Sequence, residues 1–353
     1  MESWFSWMPW AAVVLWLTWW CLEKMGVDFS PWEIVYDIVW LLVSWIPGLK
    51  TAPEDPPSGI EKLSDAVYLL YEPKGTPEID IVFIHGLQLS QYKDAYWKTW
   101  STVPKDETGK EICWPQTWLS EEFPNARILS VSYDSSAVRT ESTGREDVYA
   151  VGESLVQEMV DFGKIGQHCP VLFVCHSLGG LVVKQVVLQA YNQHGSEEKY
   201  KNFLENIRGF HFYATPHDGS KLADLANALP IPFFKKGPMV NHLKVLNDTN
   251  GRLKSNFERI TNQVFQNKWK FTVVAEQNAT KMGTFYAQVV SKTSATYGHH
   301  PCLSVGRDHF QVCKPTSKTD SGFKALTKFI VEDVMTERIT TGAQAREIAR
   351  LTM

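Results

Sequence analysis

From Ile60 onward the chain alternates between short apolar runs and longer segments in which apolar and polar residues recur every three or four positions. The apolar runs are Asp80–His85, Arg127–Tyr133, Val171–Cys175, Gly209–Ala214, Lys270–Ala275 and the shorter Ala287–Ser291. A run of this length that is apolar at nearly every position is typical of a parallel strand buried on both faces. The pattern therefore predicts six strands.

Three segments between or after these runs have helical periodicity. Asp147 to Phe162 places Val151, Leu155, Met159 and Phe162 on one face. Leu181 to Tyr191 and Phe323 to Met335 are also apolar at helical spacing. Strands that alternate with helices predict an α/β fold with a doubly wound, mostly parallel sheet.

The amino terminus differs from the rest of the chain. Residues 4–22 carry no charge, and nine of the fourteen tryptophans precede residue 50. A stretch of this length spans a hydrocarbon core, and tryptophan favours its interface. We therefore predict a membrane anchor over residues 1–50, with a buried core helix as the alternative. A single-pass membrane protein of the endoplasmic reticulum or mitochondria would fit this anchor.

The remaining boundaries follow from composition. The proline-rich stretch 51–59 reads as a linker, residues 60–340 as the folded domain, and residues 341–353 as a tail. Nearly fifty residues separate two of the predicted strands, so we expect a lid-like insert at about 221–268. Its apolar run Leu229–Phe234 could contact a bound apolar group, and a packed surface loop is the alternative.

Charge and cysteine usage exclude several classes of function. The net charge is −4, from 35 basic and 39 acidic side chains, which gives no general attraction to nucleic acid. The six cysteines are scattered without a C-x-x-C pair, so their spacing indicates no zinc site. The oligomeric state stays open.

The most informative stretch is VLFVCHSLGGLVVK, Val171 to Lys184. It places Ser177 between a predicted strand and a predicted helix, with small residues two positions before and two after it. This is close to the G-x-S-x-G pattern of a nucleophile on a tight strand-to-helix turn, with Cys175 in the first glycine's place. The alternatives are an ordinary turn or a phosphate-binding loop, although the chain has no G-x-G-x-x-G or G-K-[ST] pattern.

A serine nucleophile needs a base and an acid, which follow it in the order Ser, acid, His. His299, His300 and His309 all lie where the base is expected, and His309 is nearest to the closing helix. Glu276 ends the run KFTVVAE and is the natural acid, with Asp218 in ATPHDGS as the alternative.

Acyl transfer also needs two backbone donors for the oxyanion. One is expected from the N–H of Leu178, directly after the serine. The other is expected from Leu87 in IVFIHGL, at the end of the first apolar run.

Five stretches stand in a characteristic order: IVFIHGL, ARILSVSYDS, VLFVCHSLGGLVVKQ, FYATPHDGS and DHFQVCKP. Together they resemble the α/β-hydrolase superfamily, and more narrowly the serine-active-site-containing proteins close to the GPI inositol-deacylase-like lipases. The resemblance covers about residues 78–335. It implies Ser177 as nucleophile, His309 as base and Glu276 as acid, with Leu87 and Leu178 as oxyanion donors.

By that resemblance the protein would hydrolyse or transfer acyl groups, often on lipids, without a metal or organic cofactor. With the predicted anchor upstream, we expect a lipid or lipid-linked acyl ester as substrate and the membrane as partner. Three alternatives remain: an acyltransferase with the same residues, a membrane tether that has the fold without turnover, and a soluble hydrolase of small esters.

Overall fold

The structure is a computed structural model. It describes residues 55–88, 93–105, 109–135, 148–218, 247–282 and 285–335. The predicted anchor, the predicted tail and residues 221–246 of the predicted insert lie outside the described residues. Within the described part, no helix combines the length and apolarity that a membrane crossing requires.

The chain divides into two compact units, Met1–Asp55 with Lys281–Tyr286, and Pro56–Thr280 with Ala287–Met353. The second unit contains an eight-stranded sheet in the order β1-β2-β6-β3-β7-β8-β9-β12. Its strands are β1 (Glu61–Lys62), β2 (Val67–Tyr71), β3 (Ile79–Ile84), β6 (Ala126–Val131), β7 (Val171–His176), β8 (Ile207–Tyr213), β9 (Lys270–Glu276) and β12 (Cys302–Val305). The short strands β4 (Ser101–Thr102), β5 (Ile112–Cys113), β10 (Thr280–Met282) and β11 (Phe285–Ala287) form two separate pairs.

The helices lie between these strands. They are α1 (Ala95–Lys98), α2 (Ser120–Glu122), α3 (Val148–Gln157), α4 (Gly179–Gln193), α5 (Glu198–Asn206), α6 (Asn247–Gln263), α7 (Lys292–Ala295) and α8 (Ser321–Phe329). The segments Pro115–Leu119, Glu158–Phe162 and Ile330–Met335 are π-helical and adjoin α2, α3 and α8.

The predicted doubly wound, mostly parallel sheet is confirmed. From β6 to β12 each neighbouring pair of strands runs parallel, and only β1 and β2 add antiparallel pairing. Every residue of β3 and β7 is buried, as their continuous apolar sequences require. Because these strands are parallel, their carboxyl ends meet at one edge of the sheet, where sites form in such folds.

Five of the six predicted strands are confirmed, each to within two residues of its observed bounds. The sixth, Ala287–Ser291, is wrong: only Ala287 belongs to a strand, and Val289 and Val290 form a buried turn. The last strand of the sheet is instead β12, which the analysis of the sequence missed. Its stretch CLSV is short and lies between Pro301 and Gly306, so its apolar signal is weak.

Helix α6 forms the described half of the predicted insert. Its apolar residues Leu253, Phe257 and Ile260 recur at helical spacing and are buried. Phe257 lies edge-on to Phe210 of β8, with ring centroids 5.6 Å apart. Residues 247–263 are therefore part of the helical layer that covers the sheet.

Candidate active site

Ser177 lies on a strained turn between β7 and α4. Its φ is +51°, a value that L side chains adopt at a cost and that is often retained at functional sites. The turn is held because the Ser177 N–H donates to the Tyr213 carbonyl at 2.8 Å, and the Ser177 carbonyl accepts from Gly180 N–H at 3.1 Å. The local sequence thus produces the sharp turn that the pattern predicted.

Two glycines after the serine make the turn possible. A Cβ on Gly179 would lie 2.4 Å from the Ile84 carbonyl oxygen, and one on Gly180 would lie 2.3 Å from Thr215 Oγ1. Cys175, in place of the usual first glycine, is fully buried in β7 and leaves the turn intact. Burial raises the pKa of its thiol well above the usual range, so Cys175 stays protonated.

His309 is the histidine that contacts the serine. Its Nε2 lies 2.9 Å from Ser177 Oγ, and both side chains are buried. His309 follows β12, whereas His299 and His300 precede it. Since β12 is parallel to β9, His299 and His300 lie at the amino ends of the strands, whereas Ser177 lies at the carboxyl ends. The sequence did not show this because β12 was not recognised.

Glu276, rather than Asp218, is the carboxylate that contacts His309. Its Oε2 lies 2.6 Å from His309 Nδ1. Its other oxygen, Oε1, accepts the N–H groups of Val289 at 2.8 Å and Val290 at 3.0 Å. This pair of amides, which the sequence analysis missed, satisfies the buried carboxylate and fixes its orientation. A carboxylate at Nδ1 places that proton on Nδ1, so the Nε2 lone pair faces Ser177.

The two expected oxyanion donors lie on adjacent strand ends. Ile84 of β3 pairs with Cys175 of β7, and Leu87 and Leu178 each lie three residues beyond that pair. A Cβ on Gly86 would lie 2.7 Å from Ser177 Cβ, so the Gly86 loop runs directly beside the serine. Among the described residues, the N–H groups of Leu87 and Leu178 donate no hydrogen bond.

A second histidine supports the Gly86 loop. The His85 ring stacks on Tyr133 with centroids 4.5 Å apart, and Tyr133 Oη donates to the His85 carbonyl at 2.7 Å. Burial lowers the pKa of His85 to about 4, so this ring is neutral at ordinary pH. The loop that carries Leu87 is thus fixed by an uncharged contact.

The chemistry available to this arrangement is a proton transfer and a nucleophilic attack. His309 can take the Ser177 proton because its Nε2 lone pair is unprotonated and in contact. The same edge offers two amide donors beside the serine. Across the ranges that the structure covers, no three His, Cys, Asp or Glu side chains are grouped in a way that could hold a metal ion.

The strand order and the serine turn together define an α/β-hydrolase-like fold with a mostly parallel central sheet. The sequence model of a family described as "Putative serine esterase (DUF676)" matches residues 80–296, more than half of the chain. This protein therefore belongs to that family.

The chain is also similar to individual proteins. Protein SERAC1 of Danio rerio is 29% identical over 298 residues, which cover 79% of this chain and 43% of the relative. Protein SERAC1 of Homo sapiens is 29% identical over 289 residues, covering 77% and 42%. The chain thus spans less than half the length of these relatives.

Among solved structures, the lipase BlEst2 of Bacillus licheniformis aligns over 74% of this chain and 97% of its own, with a TM-score of 0.46 and 16% identity. Mouse alpha/beta hydrolase domain-containing protein 10 aligns over 79% and 98%, with a TM-score of 0.38 and 13% identity.

Proposed function

We propose that this protein is a serine ester hydrolase that works through an acyl-enzyme on Ser177. The observation that supports it best is the hydrogen-bonded series Ser177 Oγ, His309 Nε2, His309 Nδ1 and Glu276 Oε2, at 2.9 and 2.6 Å. A buried serine on a strained turn, with an oriented imidazole beside it, is the arrangement that nucleophilic acyl transfer requires.

The steps follow from the contacts. His309 Nε2 takes the Ser177 proton as Oγ attacks the ester carbonyl, and Glu276 stabilises the imidazolium that results. The N–H groups of Leu87 and Leu178 donate to the oxyanion. His309 then protonates the departing alcohol, and a water molecule, deprotonated by the same ring, releases the acid from Ser177.

For the substrate we propose a long-chain acyl ester presented at a membrane. Family membership supports the ester. The membrane is supported by the uncharged stretch 4–22, which is predicted to be an anchor and lies outside the described residues. On full-length protein, hydrolysis of phospholipid vesicles should exceed that of a water-soluble acetate ester. The reverse order would favour the small-ester hydrolase instead.

The experiment that tests the proposed chemistry is labelling of the detergent-solubilised full chain with a fluorophosphonate probe. Labelling should be lost in Ser177→Ala and in His309→Ala. The matched controls are Ser130→Ala, a buried serine of β6, and His300→Ala, one of the other two candidate histidines. Both controls should label like the unaltered protein.

Two results would contradict the proposal. One is labelling that persists in Ser177→Ala, which would place the reactive group elsewhere. The other is a folded protein that stays unlabelled in detergent and on vesicles, which would favour the tether without turnover.

A further inference from the structure

The main chain of His309 is held at both of its polar groups by side chains. The His309 N–H donates to Thr280 Oγ1 at 3.0 Å. The His309 carbonyl lies 2.8 Å from His176 Nε2. Both partner side chains are buried, and neither belongs to the series Ser177, His309 and Glu276.

His176 directly precedes the serine, so its contact joins the serine turn to the loop that carries the base. A carbonyl oxygen can only accept, so the proton of His176 is on Nε2. Burial, and next the neighbouring His309, lower the pKa of His176 to about 3. The ring therefore stays neutral and keeps the same donor throughout the range in which an esterase operates.

The His176 ring has little freedom to move. A Cβ on Gly86 would lie 3.2 Å from His176 Nδ1 and 2.9 Å from the His176 carbonyl oxygen. On the other side, the His176 and His309 ring centroids are 5.0 Å apart. His176 thus lies next to both the Gly86 loop, which carries Leu87, and the loop that carries His309.

We propose that His176 and Thr280 are positioning residues that hold the backbone of His309 so that its imidazole stays in contact with Ser177. This role rests on the proposed function and deepens it. Glu276 fixes Nδ1 of the His309 ring, but the whole ring can still be displaced if the backbone of its loop moves. A displacement of about 1 Å at a reacting group can slow a reaction about a hundredfold.

The test uses pairs of substitutions that keep or remove one hydrogen bond. The amide nitrogen of Gln reaches the place of a histidine Nε2, whereas that of Asn falls short of it. His176→Gln should therefore react with the fluorophosphonate at a rate within about threefold of that of the unaltered protein. His176→Asn should react at least about tenfold more slowly than the unaltered protein. Similarly, Thr280→Ser keeps the acceptor, and the isosteric Thr280→Val removes it and should slow labelling.

Rates are measured on the full chain in detergent, with the folded fraction of each variant determined by urea unfolding. His211→Asn, at another buried histidine of the sheet, is the control for loss of stability and should label at the unaltered rate per folded molecule. Only a positioning role predicts that Gln and Asn at position 176 differ in labelling at equal folded fraction.

The outcomes separate the two proposals. If the unaltered protein labels at Ser177 and the Asn and Val variants label equally fast, the positioning role is overturned and the proposed function stands. If the unaltered protein does not label under any condition, the proposed function fails and the positioning role fails with it.

Discussion

Two buried histidines near the carboxyl edge of the sheet have partners of opposite kind. His309 Nδ1 faces the Glu276 carboxylate at 2.6 Å, whereas His217 Nδ1 faces the Lys184 amine at 2.9 Å. The carboxylate accepts, so His309 has its proton on Nδ1 and a free lone pair on Nε2. When Lys184 is protonated it can only donate, and His217 then has its proton on Nε2, which has no partner among the described residues.

The two histidines therefore differ in where their lone pairs are directed. His309 presents a lone pair to Ser177, while the lone pair of His217 is already used by Lys184. The pair formed by Lys184 and His217 lies among aromatic rings, with Lys184 Nζ 4.7 Å from the centroid of Tyr297 and 5.5 Å from that of Phe257. Burial in these surroundings lowers the pKa of Lys184 to about 7 and that of His217 well below its usual value.

The largest effect is expected when Glu276, which accepts the hydrogen bond from His309, is changed. Glu276→Gln presents an amide that can donate to Nδ1, which would move the proton to Nε2 and remove the lone pair from Ser177. We expect hydrolysis to fall about 10⁴-fold at neutral pH, as for the equivalent Asp-to-Asn substitution in a serine protease. Asp218→Asn, at the other candidate acid, should stay within about twofold. An unchanged rate in Glu276→Gln would show that another group orients the base.

The second pair should affect stability through pH. Unfolded Lys184 keeps its proton to about 10.5, whereas folded Lys184 loses it near pH 7. Between these values the unfolded state binds more protons, so this residue makes the free energy of unfolding rise with pH, by about 1.4 kcal/mol per unit.

Lys184→Met should lack this rise. The gap, taken as the free energy of unfolding of the unaltered protein minus that of the variant, should therefore increase as pH rises from 7 to 9.5, measured by urea unfolding. For Lys201→Met, an exposed residue of α5, the gap should stay flat. A constant gap for Lys184→Met would mean that folded Lys184 remains charged.

His211 extends the comparison because neither of its ring nitrogens has a partner among the described residues. Burial lowers its pKa to about 3. Below pH 6.5 the unfolded state takes up the proton and the folded state does not, so acid favours unfolding. We expect His211→Phe to stabilise the protein by about 1–2 kcal/mol at pH 7, and by about 2 kcal/mol more at pH 5.

Thermal or urea unfolding at the two pH values checks this expectation, with His168→Gln on the surface as the control. A gain that is equal at pH 5 and pH 7 would contradict a neutral buried ring at position 211.

The smallest effect is expected at Cys175, which lies two residues before Ser177 and close enough to Lys184 to influence its pKa. Its thiol is protonated and belongs neither to the pair of His309 and Glu276 nor to that of His217 and Lys184. Cys175→Ala should label at a rate within about twofold of that of the unaltered protein, and it should lower the free energy of unfolding by about 1 kcal/mol. A large loss of labelling in Cys175→Ala would give the thiol a role in the turn.

Local sequence was sufficient for the five strands β3, β6, β7, β8 and β9 and for the serine turn. Apolar runs such as Asp80–His85 predict buried parallel strands because every position faces a helix layer. The small residues around Ser177 predict a sharp turn because a strand and a helix can approach closely only there. These features depend on neighbours within a few residues, so the chain's own pattern determines them.

The choice of partners was decided by the tertiary structure. Three histidines and two acids stood at suitable places in the sequence, and only the position of β12 beside β9 brings His309 and Glu276 together. The sequence did not indicate that the amides of Val289 and Val290 bind Glu276, because two adjacent apolar residues predict a strand when nothing is known of the carboxylate. A hydrogen bond between His309 and Ser177 joins residues 132 positions apart, and such contacts depend on strand order and register, which local patterns do not encode.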